Sequence, residues 1–302
     1  MICENVIICG VVKNVEKTIG KNVAYCVKIA ELFTKCKIVI YENNSTDSTK
    51  QILNDMNYTN VLVISENIPV DEIKRNSKIW AYTKVTGSDH PCRIEQISNA
   101  RNKVLDEINT PEYDDYSYVM WVDLDSAGWN VHGIIDSFVN KDNWDIVYAN
   151  GKDRTGKYYD LYAYRGEMQP FGPEIIGEHF WSNMQTIQLH EHYVPAFSAF
   201  GGLGIYKKDI FKTIRYDCIV NDEVKRFYRN FLRNKEVHEI VSSEDAKFSG
   251  GHMDEVINVF WKNNSGYDNT VVCEHVCFNL AAINAGYKIF INSKLEYFCS
   301  DR

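Results

Sequence analysis

The sequence predicts an α/β fold in which a mixed, mostly parallel sheet is flanked by helices. Short apolar runs alternate with segments whose apolar residues recur at helical spacing throughout the first half of the chain. This alternation is typical of parallel sheets, whose strands are joined by crossover helices. The chain has 302 residues, of which 45% are hydrophobic, and a chain of this size and composition can bury a large core.

Strands and helices follow one another in order through the first half. The predicted strands are residues 5–12, 37–41, 61–65 and 118–122. The predicted helices are residues 15–33, a short helix that follows the polar turn 42–47 and ends near residue 56, and residues 93–108. Ligands of parallel sheets bind outside the carboxyl ends of the strands, so the polar residues at those positions are candidates. They are Asn14, Glu42, Asn43, Asp123 and Asp125.

The second half is less regular. Strands are predicted at residues 144–149, 158–164 and 288–292, and helices at residues 222–234 and 274–285. Between them lie a loop rich in glycine, proline and aromatic residues at 166–192 and a polar loop at 242–269. We find no internal repeat and no low-complexity linker, so we expect one continuous domain over residues 1–302.

Composition excludes several classes of protein. The net charge is −8 without a basic stripe, which argues against nucleic-acid binding. The N-terminal residues contain neither a basic leader nor a long apolar run, so we expect no signal peptide and no membrane span. The nine cysteines are odd in number and scattered, which favours reduced thiols and a cytoplasmic location.

Asp123 and Asp125 follow the apolar strand YVMWV directly and are the leading metal-ligand candidates. Carboxylate oxygens suit Mn²⁺ or Mg²⁺, and these ions also bind diphosphate oxygens. The alternative is a surface turn, because a D-x-D triplet arises often by chance. An EF-hand loop is excluded, since Ala127 and Ile134 stand where that loop needs acidic or amide ligands.

Arg93 and Arg101 share a helical stripe with the apolar residues Ile97, Val104 and Leu105. A charge on such a face is costly unless it is paired. We expect one or both arginines to contact donor phosphates or the metal-binding carboxylates, because guanidinium geometry suits either partner. The alternative is that they extend into solvent or pair with a structural acid.

Glu42 and Asn43 end the second strand, where they could contact a base or ribose. The alternative is that this turn only caps the following helix. Gly201 and Gly202 could let the backbone approach a sugar closely, or could simply turn the chain. No dinucleotide-binding or Walker A pattern surrounds them.

Glu274 begins the last helix and is the candidate catalytic base, although an acid there could merely complement the helix dipole. His275 is a possible metal ligand, with a structural histidine as the more ordinary alternative. A zinc site at His179, His190 and His192 is not supported, because no ligand spacing typical of zinc is present.

The ordered segments YENNSTDSTK, ISNARNKVL, YVMWVDLD and CEHVCFNLAAINAGYKIFI resemble the GT-A (Rossmann-like) glycosyltransferases, and among them the fungal capsule-associated mannosyltransferase-like group. The resemblance implies a hexosyltransferase that uses a UDP- or GDP-sugar and a glycan, protein or lipid-linked acceptor. It implies Mn²⁺ or Mg²⁺ on Asp123 and Asp125, donor contacts near Glu42 and Arg101, and acceptor contacts near Gly201. Many members have a late histidine as third metal ligand, which the last strand here lacks.

This resemblance also divides the expected domain into a nucleotide-binding half, residues 1–130, and an acceptor half, residues 131–302. Two alternatives remain open at this point. One is a non-catalytic nucleotide- or carbohydrate-binding domain of the same fold. The other is a metal-dependent nucleotidyltransferase, although the glycine-rich loop that such enzymes usually carry near the first strand is missing.

Overall fold

A nine-stranded mixed sheet forms the centre of the computed structural model, which describes residues 1–83, 88–177, 180, 187, 189, 191–233, 250–263 and 267–300. The strands, in chain order, are β1 (Ile2–Val12), β2 (Phe33–Asn43), β3 (Val61–Glu66), β4 (Trp80–Thr83), β5 (Ser88–Pro91), β6 (Tyr118–Val122), β7 (Gly128–Trp129), β8 (Ile146–Lys152), β9 (Tyr193–Pro195), β10 (Leu203–Lys207), β11 (Gly251–Asp254), β12 (Val259–Lys262) and β13 (Ile289–Phe298). The helices are α1 (Ile19–Ala30), α2 (Thr49–Asn54), α3 (Val70–Asn76), α4 (Arg93–Ile108), α5 (Val131–Val139), α6 (Pro173–Ile176), α7 (Asp222–Arg233) and α8 (Glu274–Asn284).

The strand order is β3-β2-β1-β6-β10-β8-β13-β7. The ninth strand, β9, is not part of this linear order and also pairs with β13. Strands β3, β2, β1, β6, β8 and β13 run in one direction, whereas β10, β7 and β9 run against them. The predicted fold class, a mixed and mostly parallel sheet flanked by helices, is therefore confirmed. Strands from both halves of the chain join this one sheet.

Each face of the sheet carries its own apolar core. Successive side chains of a strand point to opposite faces, so Ile7 and Cys9 enter one core while Val6 and Ile8 enter the other. Helices α4 and α8 contribute to the first core and α1 and α5 to the second. Coverage on both faces explains why the first strands are uninterrupted apolar runs rather than alternating ones.

Several predicted boundaries change. The helix predicted at 15–33 begins at Ile19, after a turn in which Asn14 has a positive φ of 55°, and it ends at Ala30. The strand predicted at 288–292 continues to Phe298 with a register shift after Asn292. The small β4–β5 and β11–β12 hairpins were not predicted, because each strand has only four residues and one strand of each pair, β5 or β11, is largely polar.

The prediction of a strand at residues 158–164 is wrong. These residues form turns, and their one ladder contact with any described part of the chain is a single bridge between Tyr158 and Lys152. The segment is apolar because several of its aromatic side chains pack into the core from an irregular backbone, as Tyr158 and Tyr164 do. Its carboxylate, Asp160, turns instead toward the loop that precedes β10.

Two findings bear on the environment of the chain. Within the described ranges, no helix combines the length and the apolar character that crossing a membrane requires. No disulfide is recorded among the nine cysteines, all of which lie within the described residues.

Candidate functional site

The loop that follows β6 holds Asp123 and Asp125 at the carboxyl end of the sheet. The Asp123 N–H donates to the Gly202 carbonyl at 2.9 Å, and the Tyr297 hydroxyl donates to the Asp123 carbonyl at 3.1 Å. From α1, the Asn22 amide donates to the Leu124 carbonyl at 2.8 Å. The backbone of this loop is therefore fixed by three separate elements, while 29% of the Asp123 side chain stays exposed.

Arg101 lies beneath this loop on α4 and joins it to α8. Its Nη2 lies 3.5 Å from Asp123 Oδ1 and its Nε lies 3.4 Å from Glu274 Oε1. Three aromatic rings surround the guanidinium, with centroids 4.9–5.5 Å from Cζ; they belong to Trp121, Phe200 and Tyr216. Only 3% of Arg101 is exposed, so its guanidinium contacts carboxylates rather than solvent. Carboxylates were one of the two kinds of partner predicted for this side chain, the other being phosphates.

Glu274 and His275 begin α8 and are both buried. His275 stacks on Phe200 with centroids 3.9 Å apart, and its Nε2 lies 3.6 Å from Glu274 Oε1. Among the described residues, neither ring nitrogen of His275 has a hydrogen-bond partner. Burial, helped by the nearby Arg101 charge, lowers the pKa of His275 well below its usual value, so the ring is neutral.

Asp160 is the site residue that the sequence analysis missed. Its Oδ2 accepts a hydrogen bond from the Gly201 N–H at 3.0 Å. Burial raises the pKa of its carboxyl to about 6, and the Glu274 charge acts in the same direction. The sequence signal that could have identified Asp160 is its position within the aromatic run YYDLYAY. An acid is unexpected in such a run, because burying an unpaired carboxylate is costly.

Gly201 and Gly202 have positive φ angles of 62° and 82°. A Cβ on Gly202 would lie 2.2 Å from Tyr297 Cε1, and one on Gly201 would lie 2.3 Å from the Ala149 carbonyl oxygen. Both glycines are buried. The atoms that leave no room for a side chain at these positions therefore belong to the protein itself. Direct contact with an acceptor stays a prediction, whereas the glycines visibly link Asp160 to the Asp123 loop.

The charges of the site are predominantly negative. Burial raises the pKa of the Asp123 carboxyl to about 7. Arg101 opposes this shift, but the neighbouring charges of Asp125, Asp160 and Glu274 reinforce it. The site therefore holds four carboxyl groups, and Arg101 contacts two of them, Asp123 and Glu274. These oxygen donors fit a hard divalent cation such as Mg²⁺ or Mn²⁺. In the part of the chain that is described, no group of three or more His, Cys, Asp and Glu side chains could hold an ion by itself.

Glu42 and Asn43 lie at the end of β2, at the same edge of the sheet. The Glu42 carboxylate is fully buried, where it accepts hydrogen bonds from the Ser45 N–H at 2.8 Å and the Ser65 hydroxyl at 2.6 Å. Burial opposes ionisation, yet these hydrogen bonds together lower the pKa of Glu42. Glu42 thus shapes the turn after β2, and Asn43 pairs with Glu66 of β3. Contacts of either residue with a donor stay predictions.

The expectation that Arg93 lies on the buried face of its helix is wrong. Arg93 is the first residue of α4 and is exposed, whereas Cys92 just before it is buried. In the first turn, a long side chain extends past the edge of the core instead of crossing it. Among the histidines considered for zinc, His179 and His190 lie outside the described residues. The third, His192, contacts Asp136 with 2.6 Å between Nε2 and Oδ2.

The chain is distantly similar to solved structures of other proteins. Staphylococcus aureus TarS 1–349 is 14% identical, with a TM-score of 0.46, over 98% of this chain and 60% of that one. A Mycobacterium tuberculosis glucosyl-3-phosphoglycerate synthase, solved with Mn²⁺, UDP-glucose and phosphoglyceric acid, is 10% identical, with a TM-score of 0.38, over 72% of this chain and 60% of that one. The chain thus spans about 60% of the length of these proteins, and likenesses this distant say nothing about its chemistry.

No curated protein matches the sequence. The protein family described as Cryptococcal mannosyltransferase 1 matches residues 5–254, which is most of the chain. This match confirms the resemblance that the ordered motifs predicted. The chain is therefore a member of the Cryptococcal mannosyltransferase 1 family.

Proposed function

We propose that the chain is a glycosyltransferase that moves a hexose from a nucleotide-diphosphate-sugar to an acceptor hydroxyl. The observation that carries the proposal is the convergence of Asp123, Arg101 and Glu274 at the carboxyl end of β6. Ligands of parallel sheets bind at this edge, and the membership of the family supports the reaction class. Residues 1–130 would bind the nucleotide and residues 131–302 the acceptor.

Asp123 and Asp125 would hold Mn²⁺ or Mg²⁺. The fit rests on the oxygen donors of these two side chains and on the excess of carboxylates over the Arg101 guanidinium. A bound divalent cation supplies positive charge that offsets the charge growing on a diphosphate leaving group. Because two carboxylates are too few to enclose such an ion, oxygens from the donor and from water would complete its coordination.

The protein's own residues would orient the reacting groups. Arg101 holds Asp123 and Glu274 in one arrangement before substrate arrives, which is the preorganisation that positioned catalysis requires. Glu42 keeps the turn after β2 in shape for the donor, and Asn43 and the exposed Arg93 are the predicted donor contacts on this side. Gly201 and Gly202 are the predicted acceptor contacts.

Glu274 is the predicted base if the reaction inverts the anomeric carbon, and a substrate-orienting residue if it retains it. In the inverting reaction the acceptor oxygen loses its proton to a carboxylate and bonds to the anomeric carbon. The bond between that carbon and the diphosphate oxygen breaks, and its electron pair stays on the diphosphate.

Thermal shift with UDP-, GDP- and CMP-sugars, each with and without Mn²⁺, tests the binding part of the proposal. We expect one donor class to stabilise the wild-type protein in a metal-dependent manner. Hydrolysis of the same donors tests turnover. The Asp125→Ala variant is expected to lose metal-dependent hydrolysis, whereas Asp209→Ala, at a residue whose side chain is 81% exposed, is expected to keep it.

The possible outcomes separate the alternatives. Full activity in Asp125→Ala would refute the metal assignment. Stabilisation by a donor without any turnover would favour a binding domain of the same fold, and release of pyrophosphate from a nucleoside triphosphate would favour a nucleotidyltransferase. Stabilisation by none of the sugars would refute the proposed donor class.

A further inference from the structure

We propose that two neutral side chains near the end of the chain, Tyr297 and Ser300, position Asp123 and Asp125 for a divalent cation. Neither side chain belongs to the acidic motif itself, and each acts on it through a backbone carbonyl. The inference rests on the proposed function, because it assumes the metal assigned to the two aspartates. It applies to inverting and to retaining transfer alike, since it concerns how the ion is held and not how the acceptor is activated.

The carbonyl groups of both acids accept hydrogen bonds from this segment. The Tyr297 hydroxyl donates to the Asp123 carbonyl at 3.1 Å, and the Ser300 hydroxyl donates to the Asp125 carbonyl. Tyr297 belongs to β13, and Ser300 follows that strand by two residues. The carbonyl and the side chain of a residue leave the same Cα, so a fixed carbonyl limits the directions in which the carboxylate can point.

The other two carbonyls of the loop are held from α1. The Asn22 amide donates to the Leu124 carbonyl at 2.8 Å and to the Ser126 carbonyl at 3.0 Å. Leu124 and Ser126 are buried, whereas the two acids are half-buried. Buried residues thus alternate with Asp123 and Asp125, and both acids keep part of their surface open to a ligand.

The end of β13 is itself firmly placed against β7. Phe298 pairs with Gly128, and its carbonyl accepts from the Ala127 N–H at 2.9 Å. Tyr297 pairs with Trp129, and the two rings stack with centroids 6.4 Å apart. A phenylalanine at position 297 would keep this ring contact and lose only the hydroxyl, so the hydrogen bond to the loop can be tested alone.

Holding the loop in shape matters for metal binding, because a divalent cation binds tightly where its ligands are already in place. Groups that orient metal ligands typically change metal affinity by about 10- to 100-fold when they are removed. The alternative is that these hydrogen bonds only stabilise the fold. Tyr25 separates the two explanations, because its hydroxyl donates to the Trp129 carbonyl, also at 3.1 Å, and contacts neither acid's carbonyl.

The test is a titration with Mn²⁺, followed by electron paramagnetic resonance, with UDP or GDP present to supply diphosphate oxygens. It compares wild type with Tyr297→Phe, Ser300→Ala, Ser300→Thr and the matched control Tyr25→Phe. The Asp125→Ala variant defines how much Mn²⁺ binds elsewhere on this acidic chain, whose net charge is −8. Thermal melts of every variant measure the effect on the fold separately.

We expect Tyr297→Phe and Ser300→Ala each to raise the Kd for Mn²⁺ by about tenfold. Ser300→Thr should stay within about twofold of wild type, because it keeps the hydroxyl. Tyr25→Phe should also bind Mn²⁺ within about twofold of wild type. Its melting temperature should nevertheless fall about as much as that of Tyr297→Phe, because each variant loses one hydrogen bond of equal length to a backbone carbonyl.

A rise in Kd below about threefold in either Tyr297→Phe or Ser300→Ala would overturn the inference. An equal rise in Tyr25→Phe would do so as well, and so would a Ser300→Thr variant that binds as weakly as Ser300→Ala. Failure of the metal assignment is distinguishable from these results, because it appears already in the wild type. If the wild type binds Mn²⁺ no more tightly than Asp125→Ala, the metal assignment and the positioning role are both refuted.

Discussion

Replacing Arg101 with methionine removes a buried cation from between two carboxylates and keeps most of the side-chain volume. At an effective dielectric constant near 20, unit charges 3.5 Å apart attract by about 5 kcal/mol. Burial of the guanidinium offsets much of this attraction, so the pair itself contributes little net stability. Removing Arg101 is nevertheless expected to lower the stability of the protein, because Asp123 and Glu274 would remain close to the emptied position without their counter-charge.

Removing one partner of a buried ion pair usually costs about 3–5 kcal/mol. Solvent reaches 29% of the Asp123 side chain and screens it in part, so we expect Arg101→Met to lose about 3 kcal/mol. For a domain of this size, that corresponds to a melting temperature lower by about 5 °C. Arg101→Lys should lose less, because an ammonium restores the charge but not the forked geometry that reaches both carboxylates.

Urea unfolding followed by circular dichroism, with thermal melts in parallel, measures these differences. Arg93→Met is the matched control, since it removes the same side chain from an exposed position of the same helix. We expect this control to change the free energy of unfolding by less than about 0.5 kcal/mol. A loss below about 1 kcal/mol in Arg101→Met, or an equal loss in the control, would show that Arg101 does not hold the two carboxylates as described.

Two further predictions concern the scaffold. Gly202→Ala should cost more than Gly156→Ala in thermal melts, by about 1–3 kcal/mol, because both glycines have positive φ but only at Gly202 would the new Cβ meet the Tyr297 ring. Equal costs would contradict this account. At Asp136 burial opposes ionisation, but hydrogen bonds led by the one from His192 lower the carboxyl pKa below 3.8. Asp136→Asn should therefore lower the free energy of unfolding in urea by about 2 kcal/mol at pH 7. This loss should shrink as the pH falls below about 4, because the native carboxylate then becomes protonated. A loss that stays constant down to pH 3 would refute the assigned role of Asp136.

Local patterns were sufficient for the architecture around β6. The strand at 118–122 was predicted with its observed bounds, because five consecutive apolar residues suit only a strand buried on both faces. Arg101 was singled out correctly as a charge on an apolar face, whereas Arg93 on the same predicted stripe is exposed. Helical periodicity gives the direction of a side chain but not where the core ends along the helix axis.

The irregular second half was less predictable for a physical reason. Residues 158–164 are apolar and rich in aromatic residues, which suits a strand, yet they form turns, because their aromatic side chains reach the core from a backbone that makes a single bridge at Tyr158. Asp160 lies within this segment, and no local sequence pattern distinguishes it from an acid on the protein surface. Its partner, the Gly201 N–H, comes from a distant part of the chain.

The α/β class and the two acidic residues at the end of a central strand follow from local properties of the sequence, namely the length of an apolar run and the position of a residue at its end. The groups that surround those acids depend on how the whole chain folds. Arg101 and Glu274 approach the loop after β6 from α4 and α8, whereas β10 lies between β6 and β8 and its preceding glycines join Asp160 to the same loop. Strand order depends on the packing of the whole chain, so no local pattern could have placed those three side chains together.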